Sequence, residues 1–456
     1  MIMKKYKYIG VSLFLFLFTT IFSVTTLLGQ SFTWMQYADP TEAGYQLEAI
    51  DSLTKLYNES GASALMIVAG GKVVFSKGET SRRFMAHSIR KSFMSALVGI
   101  AIDQNEMDLN HTLQDLAIDD IQPLTDIEKK ATIADLLKAC SGVYLPSAYS
   151  PENMIKNLPV RGSAVPGSKW FYNNWDFNAL VTIYNQETKR DFFQDFKNKI
   201  AGPIGMEDFR LMDSHYRYEN DKSMHPAYLF KMSARDMARF GQLYLNKGKW
   251  EDRQIVPSSW IGKSTSKISR DLGSFDSREG YGYLWWSATS PIGSPMFYAS
   301  GVGGHRIYIL PEEDMVIVIR ANTYENRMIS GSNLYWMLEY IVHSRTKVTV
   351  SNPSLKPYNP KANTVSNVST KSMDLYCGSY VHSLLGKMEI VSQEGEYLLI
   401  NNAGKFILIP TAQDKFYVED LQLNLKMIKV EEADKKGRLE VVFNPDRSIK
   451  EVFGYY

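Results

Sequence analysis

The order of hydrophobic and polar residues predicts a protein built around one buried helix. Residues 86–103 read AHSIRKSFMSALVGIAID, and most of this segment is apolar on nearly every side. A helix without a polar face belongs in the interior of a domain. The sequence therefore predicts that this segment contains the central helix of the fold.

Apolar runs on both sides of that helix predict strands, and segments with helical spacing predict further helices. Strands are expected at residues 64–68, 73–75, 281–286, 304–310 and 315–321, with Gly70-Gly71 closing a hairpin between the first two. Helices are expected at residues 41–59, 132–139, 176–184, 191–200 and 332–342, and after Ser233 and Pro257. We therefore expect an α+β fold, with helices flanking one antiparallel sheet and a helical lobe from the middle of the chain.

A change of composition near residue 350 predicts a second domain. Residues 351–372 are rich in Pro, Ser, Asn and Thr, which is typical of a linker, and about eight short strands follow. Closely spaced short strands are typical of a small all-β barrel or sandwich. The expected organisation is a signal peptide at 1–29, a main domain at 30–350, a linker at 351–372 and a small β-barrel at 373–456.

The first 29 residues have the features of a secretory signal peptide. Lys4, Lys5 and Lys7 precede a long apolar run that ends before Gly29 and Gln30. We expect an exported protein, periplasmic or secreted, without a membrane span after the signal is removed. Because the apolar run is long, an uncleaved membrane anchor is the alternative.

Charge and composition exclude several classes of function. The net charge is +2 and no basic cluster is present, so a nucleic-acid partner is not expected. Cys140 and Cys377 form no disulfide framework, and the seven histidines show no zinc-binding spacing. We predict no metal and no cofactor.

The candidate chemistry begins with Ser88 and Lys91, an S-x-x-K pair at the start of the central helix. Residues three apart share a helix face, so the serine hydroxyl and the lysine amine can meet there. A serine at a helix N-terminus, next to a lysine, is a candidate activated nucleophile. The alternative is a helix-capping Ser88 with Lys91 reaching water.

Two further stretches supply what a serine nucleophile needs, a proton carrier and an oxyanion hole. Tyr172-Asn173-Asn174 is a Y-x-N triplet that follows the Pro166-Gly167 turn. The glycine-rich stretch 300–305, SGVGGH, leads into a late strand, and its glycines allow a substrate close to the backbone.

Taken in order, these stretches resemble the serine β-lactamase-like superfamily, in its class C β-lactamase, esterase and 6-aminohexanoate-dimer hydrolase branch. The resemblance covers about residues 41–342, and the tail resembles the lipocalin-like barrel of some members. It implies that Ser88 becomes acylated, that neutral Lys91 takes its proton and that Tyr172 relays a proton. It also implies that Asn174 holds Lys91 and orients the acyl group.

The resemblance places the oxyanion hole at the backbone N–H groups of Ser88 and Val302, or of Gly301 in the adjacent alignment. His305 is expected beside the substrate cleft as a structural polar residue. One feature departs from the family: β-lactamases carry a lysine on the late strand, whereas residues 294–312 contain none.

The missing lysine favours an uncharged ester or amide substrate, because a charge-assisted hydrogen bond to a substrate carboxylate contributes about 1.5–3 kcal/mol. Our prediction is a serine hydrolase acting on a small-molecule ester or amide. Two alternatives remain: a penicillin-binding protein, β-lactamase or D-Ala-D-Ala peptidase, and a non-catalytic binding or sensor protein on the same fold. The oligomeric state is not predicted.

Overall fold

A computed structural model of the chain describes residues 33–269, 279–323, 327–346 and 350–360, and the greater part of the tail strands from residue 374 onward. The signal peptide predicted at 1–29 lies outside the described residues. The helices of the described part are, in chain order, α1 (Leu47–Ser60), α2 (Arg90–Asp103), α3 (Ile133–Leu137), α4 (Glu152–Lys156), α5 (Asn174–Thr188), α6 (Phe192–Phe196), α7 (Ala234–Leu245), α8 (Ser258–Thr265) and α9 (Gly331–His343).

The first fourteen strands of the described part belong to the main domain. In chain order they are β1 (Met35–Tyr37), β2 (Ala64–Ala69), β3 (Lys72–Gly78), β4 (Phe84–Met85), β5 (Ser214–Arg217), β6 (Ala227–Met232), β7 (Lys249–Trp250), β8 (Arg253–Gln254), β9 (Gly280–Tyr281), β10 (Trp286–Thr289), β11 (Pro295–Gly301), β12 (His305–Leu310), β13 (Met315–Arg320) and β14 (Leu355–Pro357). The main sheet has the order β14-β1-β3-β2-β13-β12-β11-β10-β9, and a small sheet has the order β4-β6-β5. Neighbours in the main sheet are antiparallel except β1 and β3.

Helices cover both faces of the main sheet, as the sequence predicted. Side chains alternate along a strand, so Met66 faces one layer and Ile67 the other. Ile67 packs in a cluster with Leu53 of α1 and Ile341 of α9. Met66 packs in the larger cluster that contains α2 and α7. Because both faces are covered, β2 is apolar at every position.

The central helix is buried as predicted. Every residue of α2 from Arg90 to Ala101 is buried. The ring of Phe93 lies 4.8 Å from the ring of Phe240 and 5.1 Å from that of Phe196, which fixes the helix between the sheet and the helical lobe. The helix that begins with the serine motif is therefore held firmly on all sides.

The structure differs from the predicted elements in several places, and β1 and β4 to β8 were not predicted. The run 281–286 is not one strand, because Leu284 has a positive φ of 63° and the chain turns between β9 and β10. β11 was not predicted. β14 lies at the start of the predicted linker, where it pairs with β1 at the sheet edge.

The tail forms a curled antiparallel sheet, a half-barrel, in agreement with the predicted all-β character. Its described strands are β15 (Gly378–His382), β16 (Gly386–Gln393), β17 (Glu396–Asn401), β18 (Gly404–Ala412), β19 (Lys415–Val418), β20 (Leu423–Ile428), β21 (Arg438–Phe443), β22 (Lys450–Val452) and β23 (Gly454–Tyr455). Glu396 forms ion pairs with Arg83 and Arg210 of the main domain. Across the described ranges, no helix is long and apolar enough to cross a membrane.

Candidate active site

A tight turn presents Ser88 at the edge of the helical lobe. β4 pairs with β6, and the backbone N–H of Ala86 donates to the Phe230 carbonyl over 2.8 Å, so the chain leaves the small sheet at a fixed point. His87 has a φ of 48°, a left-handed conformation that is uncommon for a residue with a side chain. Ser88 follows in a single helical turn that continues into α2. Such local strain is typical of functional sites.

Lys91 contacts the predicted nucleophile directly. Its Nζ lies 2.9 Å from the Ser88 Oγ. Lys91 is 2% exposed, and burial lowers its pKa well below the usual range, with a smaller contribution from the charge of Arg90. A buried amine with a depressed pKa is neutral at moderate pH and can accept the serine proton. The alternative in which Lys91 reaches water is wrong, because the side chain is buried.

Tyr172 completes a three-residue cluster around the Ser88 hydroxyl. Burial raises the pKa of Tyr172 to about 12, and a side-chain hydrogen bond with Ser88 opposes that rise. The Lys91 Nζ lies 5.0 Å from the centre of the Tyr172 ring. Tyr172 is therefore a protonated phenol at neutral pH, placed where it can exchange a proton with the serine or a leaving group.

Aromatic rings hold Tyr172 in place and line its surroundings. Trp286 stacks on Tyr172 with ring centres 6.0 Å apart, and Phe177 lies 4.9 Å away on α5. Trp170 packs against Trp286 at 5.9 Å. Rigid rings of this kind fix the orientation of the phenol hydroxyl and give the site apolar walls.

The glycine-rich stretch ends β11 directly beside the Ser88 turn. A Cβ on Gly301 would lie 2.9 Å from the Ala86 carbonyl oxygen and 3.4 Å from the His87 Cβ. Val302 follows in the turn between β11 and β12, with a side chain 57% exposed, so only its backbone is suited to a role in the site. This placement agrees with the predicted oxyanion hole, whose N–H groups remain a prediction.

His305 is fully buried and lies against the residue that precedes the nucleophile. Its ring centre is 5.3 Å from that of His87, and its Nδ1 accepts the backbone N–H of Ala321 over 3.3 Å. Burial lowers the pKa of His305 well below its usual value and that of His87 to about 3. Both rings are therefore neutral at moderate pH, and His305 supports the His87 turn rather than forming an exposed cleft wall.

Asn174 is not positioned as predicted. Its Nδ2 donates to the Ser150 Oγ over 3.1 Å and lies 3.3 Å from the Met154 Sδ, while its buried Oδ1 has no hydrogen-bond partner. The expected hydrogen bond from Lys91 is absent from the described side chains. Residues 150–154 hold the amide nitrogen, while the oxygen to which Lys91 would donate is left without a partner.

Two residues near Ser88 were not identified from the sequence. Arg90 is buried beside Lys91, and Tyr149 places its ring over the Arg90 guanidinium at 5.6 Å. A cation inside an otherwise apolar helix was the available signal for Arg90. Tyr149 gave no local signal, because its contact with α2 depends on a long loop. Among the described residues, no cluster of His, Cys, Asp and Glu is suited to hold a metal ion.

In the described strands β11 and β12, no cation replaces the missing lysine. Arg306 is paired with Ser300 across β11 and β12, but its guanidinium lies 5.8 Å from the ring of Tyr298. Tyr298 belongs to the apolar layer under α1 and α9, on the face of the sheet away from Ser88. Arg306 therefore points away from the site.

Comparison with known proteins shows which family and which solved structures the chain resembles. The family model of the beta-lactamases matches residues 50–338. A candidate 6-aminohexanoate-dimer hydrolase from Bacillus anthracis is 24% identical, with a TM-score of 0.51, over 65% of this chain and 83% of that one. An octameric penicillin-binding protein homologue from Pyrococcus abyssi is 17% identical, with a TM-score of 0.49, over 89% of this chain and 99% of that one. No functionally curated protein matches the sequence.

The fold and the Ser88, Lys91 and Tyr172 cluster define a serine hydrolase with the β-lactamase architecture. The family model spans more than half of the chain, so the chain belongs to the beta-lactamase family. The likeness to the Bacillus anthracis protein concerns the fold alone.

Proposed function

We propose that the protein hydrolyses an ester or amide through an acyl-enzyme intermediate on Ser88. One observation carries this proposal: the buried Lys91 amine lies 2.9 Å from the Ser88 Oγ. A serine hydroxyl is a weak nucleophile until a base removes its proton, and a neutral lysine in contact with it is such a base. Tyr172 adds the proton carrier that the leaving group requires.

The proposed reaction has two half-reactions. The Ser88 Oγ attacks the carbonyl carbon and Lys91 accepts the hydroxyl proton, while the N–H groups of Ser88 and Val302 stabilise the oxyanion. Lys91 then passes this proton on through Tyr172, which delivers one to the departing oxygen or nitrogen as its bond to the carbonyl carbon breaks and is reprotonated by Lys91. A water molecule then attacks the acyl group, gives its proton to the same base system and restores the Ser88 hydroxyl.

The proposed substrate is a small, uncharged ester or amide, and no cofactor is required. Arg306 lies on the far face of the sheet and Arg90 is covered by Tyr149, so neither offers an open contact for a substrate carboxylate. The aromatic walls formed by Trp286 and Trp170 suit an apolar acyl or leaving group. We also propose, from residues 1–29, that the protein acts after export.

The test is intact-protein mass spectrometry after treatment with a fluorophosphonate probe. Wild type should gain one adduct, and Ser88→Ala should gain none and should lose hydrolysis of p-nitrophenyl butyrate. Ser52→Ala is the matched control, because Ser52 and Lys55 form another S-x-x-K pair on the surface helix α1. Full activity of Ser88→Ala would show that the nucleophile is misassigned.

Labelling with fluorescent penicillin, compared with fluorophosphonate labelling, separates the two alternatives. A stable adduct with fluorescent penicillin on Ser88, or its rapid turnover, would support a penicillin-recognising enzyme. A fluorophosphonate adduct without hydrolysis of any ester, amide or D-peptide would support a binding or sensor protein that no longer deacylates.

A further inference from the structure

Arg90 is a buried cation without a counter-ion next to the base of the site. It is 2% exposed, and its Nη1 donates to the His87 carbonyl oxygen over 3.1 Å. Its guanidinium lies 5.6 Å from the ring of Tyr149 and 5.1 Å from that of Tyr228. Nε and Nη2 are buried and have no hydrogen-bond partner, and none of the described carboxylates pairs with the group.

A buried guanidinium normally pairs with a carboxylate, because an uncompensated charge in a low-dielectric interior is costly. Another arginine on this side, Arg320, is also fully buried and is bonded to the carbonyls of Phe84 and Met85 rather than to an acid. The region around the Ser88 turn therefore carries excess positive charge. A cost of this kind persists where it serves a function.

We propose that Arg90 is a positioning residue for catalysis, whose fixed and uncompensated charge adds to the effect of burial and so helps to hold Lys91 in the form that can accept the Ser88 proton. The inference rests on the proposed function and extends it to the pH range in which the enzyme works. Arginine is suited to this role because a guanidinium is a much stronger base than the amine of a lysine. A like charge on the adjacent residue disfavours protonation of the lysine.

The other groups around Lys91 do not oppose this effect. His87 precedes the nucleophile and is neutral at moderate pH, and Tyr172 and Phe177 present rings to the lysine amine. Asp176 is buried on α5, but Ser141 and Asn173 donate hydrogen bonds to it, and burial raises its pKa well above the usual range. On the far side of the turn, the buried ring of His305 is neutral as well and Arg320 adds a further positive charge.

The test is the pH dependence of fluorophosphonate labelling and of kcat/KM for p-nitrophenyl butyrate in Arg90→Gln. Loss of the charge should raise the pKa of Lys91, so the acid limb of both profiles should move to higher pH. At pH values on the acid side of the profile, the variant should be about tenfold slower than wild type for each unit by which the pKa of Lys91 rises. At alkaline pH, the rates of the variant and of wild type should be similar.

Arg217→Gln is the matched control. Arg217 lies over the same Tyr149 ring at 5.4 Å, but Glu219 pairs with it at 2.9 Å, so its charge is compensated. Its removal should leave the acid limb unchanged. Arg90→Met, which retains an apolar stem against Tyr149 and Tyr228, gives the same readout if Arg90→Gln does not fold.

The outcomes separate this inference from the proposed function. Labelling of wild type at Ser88, with an unshifted acid limb in folded Arg90→Gln, would overturn the role of Arg90 alone. An equal loss of rate at every pH would assign Arg90 a purely structural role and also overturn it. A wild type that neither labels nor hydrolyses would overturn the proposed function, and the inference with it.

Discussion

Gly301 lies so close to Ala86 that a side chain at this position would collide with the backbone that carries the nucleophile. The distance from its ideal Cβ position to the Ala86 carbonyl oxygen is 2.9 Å, and the His305 Cβ is 3.2 Å away. The end of β11 therefore packs against the Ser88 turn with no room for a side chain at position 301. This approach brings the backbone of Val302 to the site.

Gly301→Ala should therefore impair catalysis more than stability. The new methyl group pushes β11 away from Ser88, and a displacement of about 1 Å in a catalytic constellation costs about 100-fold in rate. The measurement is kcat/KM together with the melting temperature. Gly262→Ala in α8 is the control, because a Cβ there meets nothing within 4 Å; equal losses in both variants would contradict the argument.

Lys91→Met should lower activity by about 10²–10⁴-fold, the range for removal of a general base, and should raise thermal stability at pH 7. Burial depresses the folded-state pKa of Lys91, so the unfolded chain binds the additional proton. Stability must then rise with pH up to the unfolded-state pKa, near 10.5. At pH 7 the depressed pKa of the buried lysine therefore lowers the free energy of unfolding of wild type, whereas methionine does not titrate and has no such effect.

Calorimetric melting curves from pH 6 to 10 check this prediction. The stability difference between Lys91→Met and wild type should shrink as the pH rises. Lys55→Met is the equivalent change in the S-x-x-K pair Ser52/Lys55 on the surface helix α1. It should change neither activity nor the pH dependence of melting.

Tyr172→Phe should lower kcat by about 10²–10⁴-fold while the protein stays folded, because the hydroxyl is removed and the ring contacts with Trp286 and Phe177 remain. Tyr144→Phe is the control. The Tyr144 hydroxyl is buried without a hydrogen-bond partner, so its removal should be neutral. A fully active Tyr172→Phe enzyme would assign proton delivery to Lys91 alone.

The buried histidines should make the protein sensitive to acid. Burial lowers the pKa of His87 from 6.5 to about 3 and lowers that of His305 as well, so the unfolded chain gains protons that the native state does not bind. Their contribution to stability is fully present above pH 6.5 and is lost as the pH falls towards 3. His305→Gln should make the melting temperature depend less on pH between 6.5 and 3. An unchanged dependence would show that His305 does not cause the acid sensitivity.

Glu396→Ala should loosen the tail from the main domain. The Glu396 carboxylate pairs with Arg83 and Arg210, and Asp213 contacts the same two arginines. Removal of one charged partner lowers the free energy of unfolding by about 1–3 kcal/mol. Hydrogen exchange should become faster in β5, next to Arg210. Glu389→Ala, an exposed acid on β16, is the control and should leave exchange unchanged.

The local sequence was sufficient to predict the central helix, the β2–β3 hairpin and the contact between Ser88 and Lys91. Each of these depends on residues a few positions apart, and periodicity reports such relationships directly. The break at Leu284 was missed because the Tyr and Trp residues of the run YGYLWW have high strand propensity. Only the packing around it imposes a positive φ. β14 was missed because a short edge strand among prolines resembles a linker.

What the sequence indicated by itself is therefore that Ser88, Lys91 and Tyr172 belong to one cluster, which the structure shows them to form. Only the tertiary structure decided which groups surround them. In the tertiary structure, Tyr149 packs over Arg90 and the amide nitrogen of Asn174 donates a hydrogen bond to Ser150. The buried ring of His305 packs against that of His87. These contacts join residues dozens to hundreds of positions apart. Because pKa values and hydrogen bonds depend on distance in space and on exclusion of water, no local pattern can encode them.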